Sequence, residues 1–330
     1  MSSYLREALG KHRRGLLVAL AVSAATAASN PRPVIGIMVQ PLQPDVSRDV
    51  PMLKYGSMYL PSSYVKAVEA AGARAAPVLY NNSAASLRAQ FAKLSGLLLP
   101  GGHVGHVNTS YATAVYTMLD LAGAGTFPVH GTCLGSQMLA QWASGDTTRS
   151  LLSSTKAEDL LLPLKPRKTA WDASWLLEGA PADVLPALTA TNSTVNLHNY
   201  GVLPSLFESG GKLDTGVLRP LATSVGSDGV EFVALYEGVP PRPWSATQYH
   251  PEKNAFEFGG KWNTCAAIGD VHSDDAIEAS AWLMRKLVQA ARVVDHVWDD
   301  EDPTFPLMRK FAPVPGGPDA GFDWESCYFW

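Results

Sequence analysis

The sequence predicts an α/β fold, a mostly parallel central sheet with helices on both faces plus an antiparallel extension. Three observations carry that expectation. Strand-like and helix-like segments alternate through the first half of the chain. The runs Val34–Val39 and Leu97–Leu99 are apolar enough for inner strands, and beyond Ser150 two strand-like runs flank a tight-turn signal. At 330 residues, with 46% hydrophobic and 17% charged side chains, the chain can bury one large core. No repeat or linker divides it, so residues 28–330 read as a single domain.

The N-terminus reads as an address. Arg6, Lys11, Arg13 and Arg14 form a basic region, Gly15 to Val22 an apolar core too short to span a bilayer, and Ala25-Thr26-Ala27 a small-residue cleavage site. A membrane anchor is the competing reading, disfavoured by the short apolar run. Residues 1–27 are thus expected to be a signal peptide, placing the mature chain in the secretory pathway, in the extracellular space or a lysosome or vacuole. Sequons at Asn81-Asn82-Ser83, Asn108-Thr109-Ser110 and Asn192-Ser193-Thr194 agree with that route. No other run is apolar enough to cross a membrane.

After the leader, Val34 to Val39 is the first strand. Ser63 is expected to cap a helix through Tyr64 to Ala71 that Gly72 ends, and Ala75 to Leu79 returns as a strand. Ser83 opens a second helix through Leu94. Gly96 to Leu99 feeds the loop Pro100-Gly101-Gly102, and Tyr111 to Leu121 makes a further helix.

Next comes Phe127-Pro128-Val129 and then Gly131-Thr132-Cys133-Leu134-Gly135, followed by a helix from Gly135 to Trp142. A cysteine framed by glycines between a strand and a helix matches the nucleophile elbow, a strained turn that lifts a nucleophile above a sheet. The helix N-terminus is a place that favours a thiolate. Alone, the motif fits a buried structural cysteine equally well. An elbow here falls at the carboxyl end of a strand, where open α/β sheets place their ligands.

In the second half, Leu221 to Val225 and Val230 to Tyr236 surround Gly226-Ser227-Asp228-Gly229, a hairpin signal, with Pro220 marking the start of the first run. Pro240-Pro241-Arg242-Pro243 is a stiff connector into the strand Trp244 to Tyr249. The segment Asp275 to Val297 is the longest helix candidate, with Ile277, Ala281, Leu283, Met284, Leu287, Val288 and Ala291 on its apolar stripe. From Glu301 the prolines and glycines predict a tail that wraps the surface.

After that histidine strand stands His250-Pro251-Glu252-Lys253. A catalytic cysteine needs a base that is near in space, and the base needs an orienting carboxylate. His250 and Glu252 straddle a proline that fixes the backbone, so both side chains can leave the strand end together. The Pro-Gly-Gly loop could turn backbone N–H groups toward a developing oxyanion, with the amides near Gly102 and Leu134 as the two donors.

With these motifs the chain resembles the class I glutamine amidotransferase-like fold, a flavodoxin-like three-layer architecture, and within it the gamma-glutamyl hydrolases, or folate conjugases. The resemblance runs through Pro33-Val34-Ile35-Gly36-Ile37, Ser62-Ser63-Tyr64-Val65-Lys66, Ala71-Gly72-Ala73-Arg74, Pro100-Gly101-Gly102, the segment from Phe127 to Gly135, Gln248 to Lys253, and Cys327-Tyr328-Phe329. It implies Cys133 as nucleophile, His250 as base, Glu252 as its partner and His198 as a substrate contact. It also implies a poly-γ-glutamyl small molecule, such as folylpoly-γ-glutamate, as substrate. Where the family has tryptophan before the catalytic histidine this chain has Tyr249, read as keeping an aromatic wall. Hydrolases of other γ-glutamyl amines or peptides would use the same triad, and a non-catalytic binding protein on the fold is a more distant reading.

The remaining expectations are exclusions. A formal net charge of −4 with no basic stripe gives nucleic acid no footprint. No cofactor is expected. His103 and His106 lack the acidic or cysteine neighbours of a metal site, so no metal is expected and His103 reads as a loop-rim or substrate contact. His130 reads as a packed histidine. Of Cys133, Cys265 and Cys327, the last two could pair or stay as thiols. Arg74, Lys66 and Arg242 are basic candidates for the glutamate α-carboxylate, and a homodimer is left open.

Overall fold

The computed structural model describes residues 29–105, 107–123, 125–258 and 271–330. The expected signal peptide 1–27, His106 and Cys265 lie outside them, and with Cys265 the question of its pairing with Cys327.

The first half follows the predicted alternation: β1 (Val34–Pro41), β2 (Met58–Pro61), α1 (Ser62–Ala70), β3 (Arg74–Leu79), α2 (Ala84–Phe91), β4 (Gly96–Leu99), α3 (Ser110–Gly123), β5 (Val129–Thr132) and α4 (Leu134–Ser144). Then come β6 (Ser153–Leu162), β7 (Lys165–Pro166), α5 (Lys168–Asp172), α6 (Val184–Ala190) and β8 (Thr194–Gly201). The chain continues with β9 (Leu218–Val225), β10 (Glu231–Gly238), β11 (Trp244–Thr247), α7 (Lys253–Phe256), α8 (Asp274–Ala291), β12 (Val314–Gly317) and β13 (Phe322–Phe329).

Among the described residues one sheet runs β12-β13-β2-β1-β4-β5-β11-β10-β9-β7, with β3 also on β1. Its middle is parallel: β1 with β3 and β4, β4 with β5, and β5 with β11. Antiparallel strands flank it on both sides. Alternation along the inner strands splits the core in two. Val34, Met38, Leu97 and Leu99 pack with α3 and α4 on one face, while Ile35, Ile37, Val39 and Leu98 pack with α1 and α8 on the other. The result is the three-layer α/β architecture that the sequence predicts.

Several boundaries differ from expectation. Ser63 does not cap α1: β2 runs straight into the helix with Pro61 at the N-cap, and Ser62 Oγ instead meets Ser326 Oγ at 2.6 Å. Ser83 does cap the next helix, accepting from Ser86 N–H, but that helix stops at Phe91. The first run of the β9–β10 hairpin begins two residues before Pro220, which is accommodated beside the irregular register at Leu235 and Tyr236. Helix α8 ends at Ala291, where the Val293 and Val294 N–H groups turn to the carbonyls three residues back and the Arg292 carbonyl accepts Asn30 N–H (2.7 Å), and Val293 and Val297 are exposed. Ile277 and Ala281 sit at the edge of its stripe, half-buried.

The largest departure is the tail. It forms the β12–β13 hairpin, and β13 pairs with β2, adding an antiparallel edge rather than wrapping the surface. Gly317 and Gly321, at φ 117° and 82°, make the turn, so the glycines that look like surface loop serve a hairpin.

Candidate active site

Two neighbouring parallel strands build the site. Thr132 on β5 pairs with Thr247 on β11, so both strands end at the same level. Cys133 is one residue past β5 and His250 three past β11, and this places thiol and imidazole together above the sheet. The Cys133 N–H donates to the Thr247 carbonyl (2.8 Å), pinning the elbow to the histidine strand.

Cys133 itself sits at φ 48°, ψ −105°, a conformation that costs a non-glycine residue on the order of 1–3 kcal/mol and marks functional turns. Helix α4 starts at the next residue, and Gln137 N–H and Ser136 Oγ both donate to the Cys133 carbonyl. Gly135 is required where it stands: a Cβ there would lie 2.1 Å from the Leu99 carbonyl oxygen of the adjacent strand.

His250 N–H donates to the Val195 carbonyl on β8 (2.9 Å), and its Nδ1–H donates to Glu252 Oε1 (2.7 Å). The other ring nitrogen is left for the Cys133 thiol, which lines the same cavity. Burial disfavours charge on this ring, but the Glu252 carboxylate and Cys133 outweigh it and push His250 up to about 9. Glu252, also buried, is held below the usual carboxylate range by His250 and Lys253 despite desolvation. The pair is an imidazolium–carboxylate couple aimed at a thiol.

Tyr64 and Gln40 complete the machinery, and residue patterns alone did not reveal either role. The Tyr64 hydroxyl accepts the Gly101 N–H (2.8 Å) and lies 3.4 Å from His250 Nδ1. Burial, then the nearby Glu252 charge, pushes that phenol well up, so it stays protonated. Gln40, from β1, donates to the Gly101 carbonyl (3.0 Å) and accepts from the Tyr59 hydroxyl (3.0 Å). The loop after β4 is thereby held from two sides. A Cβ on Gly101 would stand 2.5 Å from His250 Cε1, so the loop backbone packs directly on the imidazole. The Gly101 N–H is engaged, Gly102 lines the cavity, and Leu134, first residue of α4, has an N–H its own helix cannot satisfy.

Cys133, His250, Glu252, Gly102, Leu134 and His198 all line one cavity of about 560 Å³. His198 comes from β8. Its Nδ1 lies 3.3 Å from Thr155 Oγ1 and its Nε2 3.2 Å from Asn196 Oδ1, and burial, then the charge on His250, lowers it to about 3. His103 lines the cavity as well and pairs with Asp49. His130 is packed: fully buried, bonded to Ser245 Oγ (2.8 Å), and lowered by that burial to about 4.

Two expectations fail here. Tyr249 gives no wall; it is buried in the core on the α8 face, and the aromatic lining comes from Tyr59, Tyr64, Tyr200 and Trp324. Arg74, Lys66 and Arg242 do not line the cavity either. Arg74 is paired with Asp300, and the basic side chains at the cavity besides the histidines are Arg48 and Lys253.

A thiol on a strand–helix elbow, served by an imidazole–carboxylate couple on the neighbouring strand, defines a cysteine-type hydrolase. The chain belongs to the Peptidase C26 family, whose model matches residues 33–252. It is similar to gamma-glutamyl hydrolase B of Dictyostelium discoideum, 31% identical over 86% of this chain and 80% of that protein. The gamma-glutamyl hydrolase of Mus musculus is 32% identical over 86% of this chain and 85% of that one, and that of Homo sapiens 30% identical over 90% and 89%. Among solved structures, the glutaminase domain of Trypanosoma brucei CTPS with bound acivicin aligns with a TM-score of 0.48 at 15% identity, covering 83% of this chain and 99% of that one.

Proposed function

We propose that this chain hydrolyses γ-glutamyl amide bonds, with folylpoly-γ-glutamates as substrates, through Cys133, His250 and Glu252 and a thioester intermediate. The observation that carries the reading is the convergence of these three side chains, from two strand ends far apart in sequence, on one cavity wall. The γ-glutamyl homologues supply the bond type.

An unactivated amide resists direct attack by water, and a covalent intermediate replaces one high barrier by two lower ones. The Cys133 thiolate adds to the side-chain carbonyl carbon, and the negative oxygen sits between the N–H groups of Gly102 and Leu134. The C–N bond breaks as the His250 imidazolium passes its proton to the departing nitrogen, leaving the thioester and a neutral ring. That ring takes a proton from water as the hydroxide equivalent adds to the thioester carbonyl. The C–S bond then breaks with the electron pair returning to sulfur, the carboxylic acid product gives up its proton to solvent as it leaves, and the imidazolium–thiolate pair is restored. Glu252 keeps the ring oriented throughout, and Tyr64 holds the oxyanion loop at a fixed distance from it.

A lumenal or extracellular setting goes with this reading. The acceptor asparagines Asn81, Asn108 and Asn192 are all exposed, which supports it, and no helix among the described residues is long and apolar enough to cross a membrane.

The test is glutamate release from folylpoly-γ-glutamate by the purified chain. Cys133→Ala is expected to lower kcat by roughly 10⁴-fold or more, since removing a triad nucleophile costs up to about 10⁶. Acid quench of the wild type during turnover should trap an acyl group on Cys133. Full glutamate release by the alanine variant would reject the assignment.

A further inference from the structure

The mouth of the cavity carries a cation that the hydrolytic machinery does not use. Arg48, exposed on the segment between β1 and β2, lines the cavity and makes no salt bridge or hydrogen bond among the described residues. Its charge still reaches Tyr59 and Glu158. Lys253, by contrast, is buried, and its charge is spent on Glu252 and Glu257.

The segment bearing Arg48 is tied to the oxyanion loop by the very next residue. Asp49 is fully buried; its Oδ2 accepts the Gln43 N–H (2.7 Å), and its Oδ1 lies 2.9 Å from His103 Nε2. His103 follows Gly102 directly, and Gln43 Nε2 donates to its carbonyl. Arg48 is therefore held at a set distance from the loop against which the reacting carbonyl rests. Glu158 also lines the cavity, with Asn199 donating to its Oε2 (3.1 Å), and it adds a negative charge there.

We infer that Arg48 is the residue that reads substrate carboxylate: it binds the α-carboxylate of a glutamyl residue beside the scissile γ-amide. This rests on the γ-glutamyl reading above. A chain linked through γ-carbonyls keeps one free α-carboxylate on each residue, a feature that an ordinary amide of the same size lacks. A guanidinium meets a carboxylate through two parallel N–H···O bonds, which gives orientation as well as attraction. In an acidic protein with Glu158 also lining the cavity, such a group is what allows a polyanion to enter.

The experiment uses three pteroyl-di-γ-glutamate substrates: the parent, one with the α-carboxylate on the acyl side of the scissile bond converted to carboxamide, and one with that on the leaving side converted. Arg48→Gln is expected to lower kcat/KM on the parent about tenfold through KM, the low end for a charged hydrogen bond at an exposed site. The penalty should shrink on one of the two carboxamides, and Arg48→Lys should recover part of the loss on the parent. An equal penalty on all three substrates, or none on any, overturns the inference. A binding arm separates this from failure of the γ-glutamyl reading. In the Cys133→Ala background, calorimetry with tri-γ-glutamate should show about tenfold weaker binding when Arg48→Gln is added. Binding that Arg48→Gln leaves untouched overturns the inference alone, whereas a wild type that neither binds nor cleaves γ-glutamyl chains rejects both.

Discussion

Glu252→Gln removes the charge that keeps a proton on His250. In the wild type, burial of the ring is outweighed by that carboxylate and by Cys133, and the ring titrates at about 9. With an amide in its place burial gains ground, so the value falls and the imidazolium is lost at lower pH. The alkaline limb of kcat/KM, which reports the free enzyme, should therefore stand near pH 9 in the wild type and move toward neutrality in the variant; an unmoved limb would show that Glu252 does not hold the proton. Gly101→Ala probes the other side of the same ring. The added methyl would meet His250 Cε1 at 2.5 Å, Tyr64 Oη at 2.9 Å and Cys133 Cβ at 3.1 Å. Displacing the imidazole by a fraction of that overlap is expected to cost about 10² in kcat, because rate depends steeply on alignment. Steady-state kinetics beside a thermal melt checks it, and an unchanged kcat with a lowered Tm would make the position a packing site only. Cys133, His250 and Glu252 were legible as candidates because each stands in a local pattern with a chemical reason. Gln40, Tyr64 and Arg48 were not, since their roles come from a loop that folds back on them from elsewhere in the chain.

At the level of elements, legibility followed how cleanly a segment kept one period. The strands β1 and β4 and the helix α3 carry unbroken apolar runs or stripes and stand close to where they were expected. The pair β6–β8 was not read at all, although it supplies His198 and Glu158 to the cavity. Its register is broken between Ser154 and Ala157 and again between Ala157 and Leu160, and Lys156 and Asp159 have φ of 36° and 55°. Two irregular turns within ten residues erase the alternation a strand would show. The tail misled for a different reason, its glycines belonging to a hairpin turn while Phe322 and Cys327 bury their side chains behind it. Helix α8 offers a test on firmer ground. Ser273 caps it, accepting the Ala276 N–H (3.3 Å), with Asp274 and Asp275 in the first turn. Ser273→Ala should lower unfolding free energy by about 1 kcal/mol, the usual worth of a capping hydroxyl, measured by urea denaturation. A change near zero would mean that the two aspartates and the packing of Ala276 and Ala279 suffice.

For the whole molecule, the His250–Glu252 couple links stability to pH. His250 is raised in the folded state from its ordinary 6.5 to about 9, so its contribution is complete below pH 6.5 and is lost as pH rises through 9. Glu252 is lowered from 4.5, so its contribution is present above pH 4.5 and is lost as pH falls. Both are in force together between about pH 4.5 and 6.5. Thermal melts across the range should accordingly place the highest Tm in mildly acidic buffer, with a decline toward pH 9 that His250→Gln flattens. Parallel curves for the two proteins would show that other groups govern the decline. The fold class and the sheet's parallel middle were open to sequence reasoning because each inner strand is a local apolar run. The partner of each strand was not, because pairing is a matter of topology. That same topology offers a clock. Thiol and imidazole meet only when β5 and β11 lie side by side, so during refolding from denaturant the onset of rapid alkylation at Cys133 would time the moment at which the two halves of the polypeptide first join.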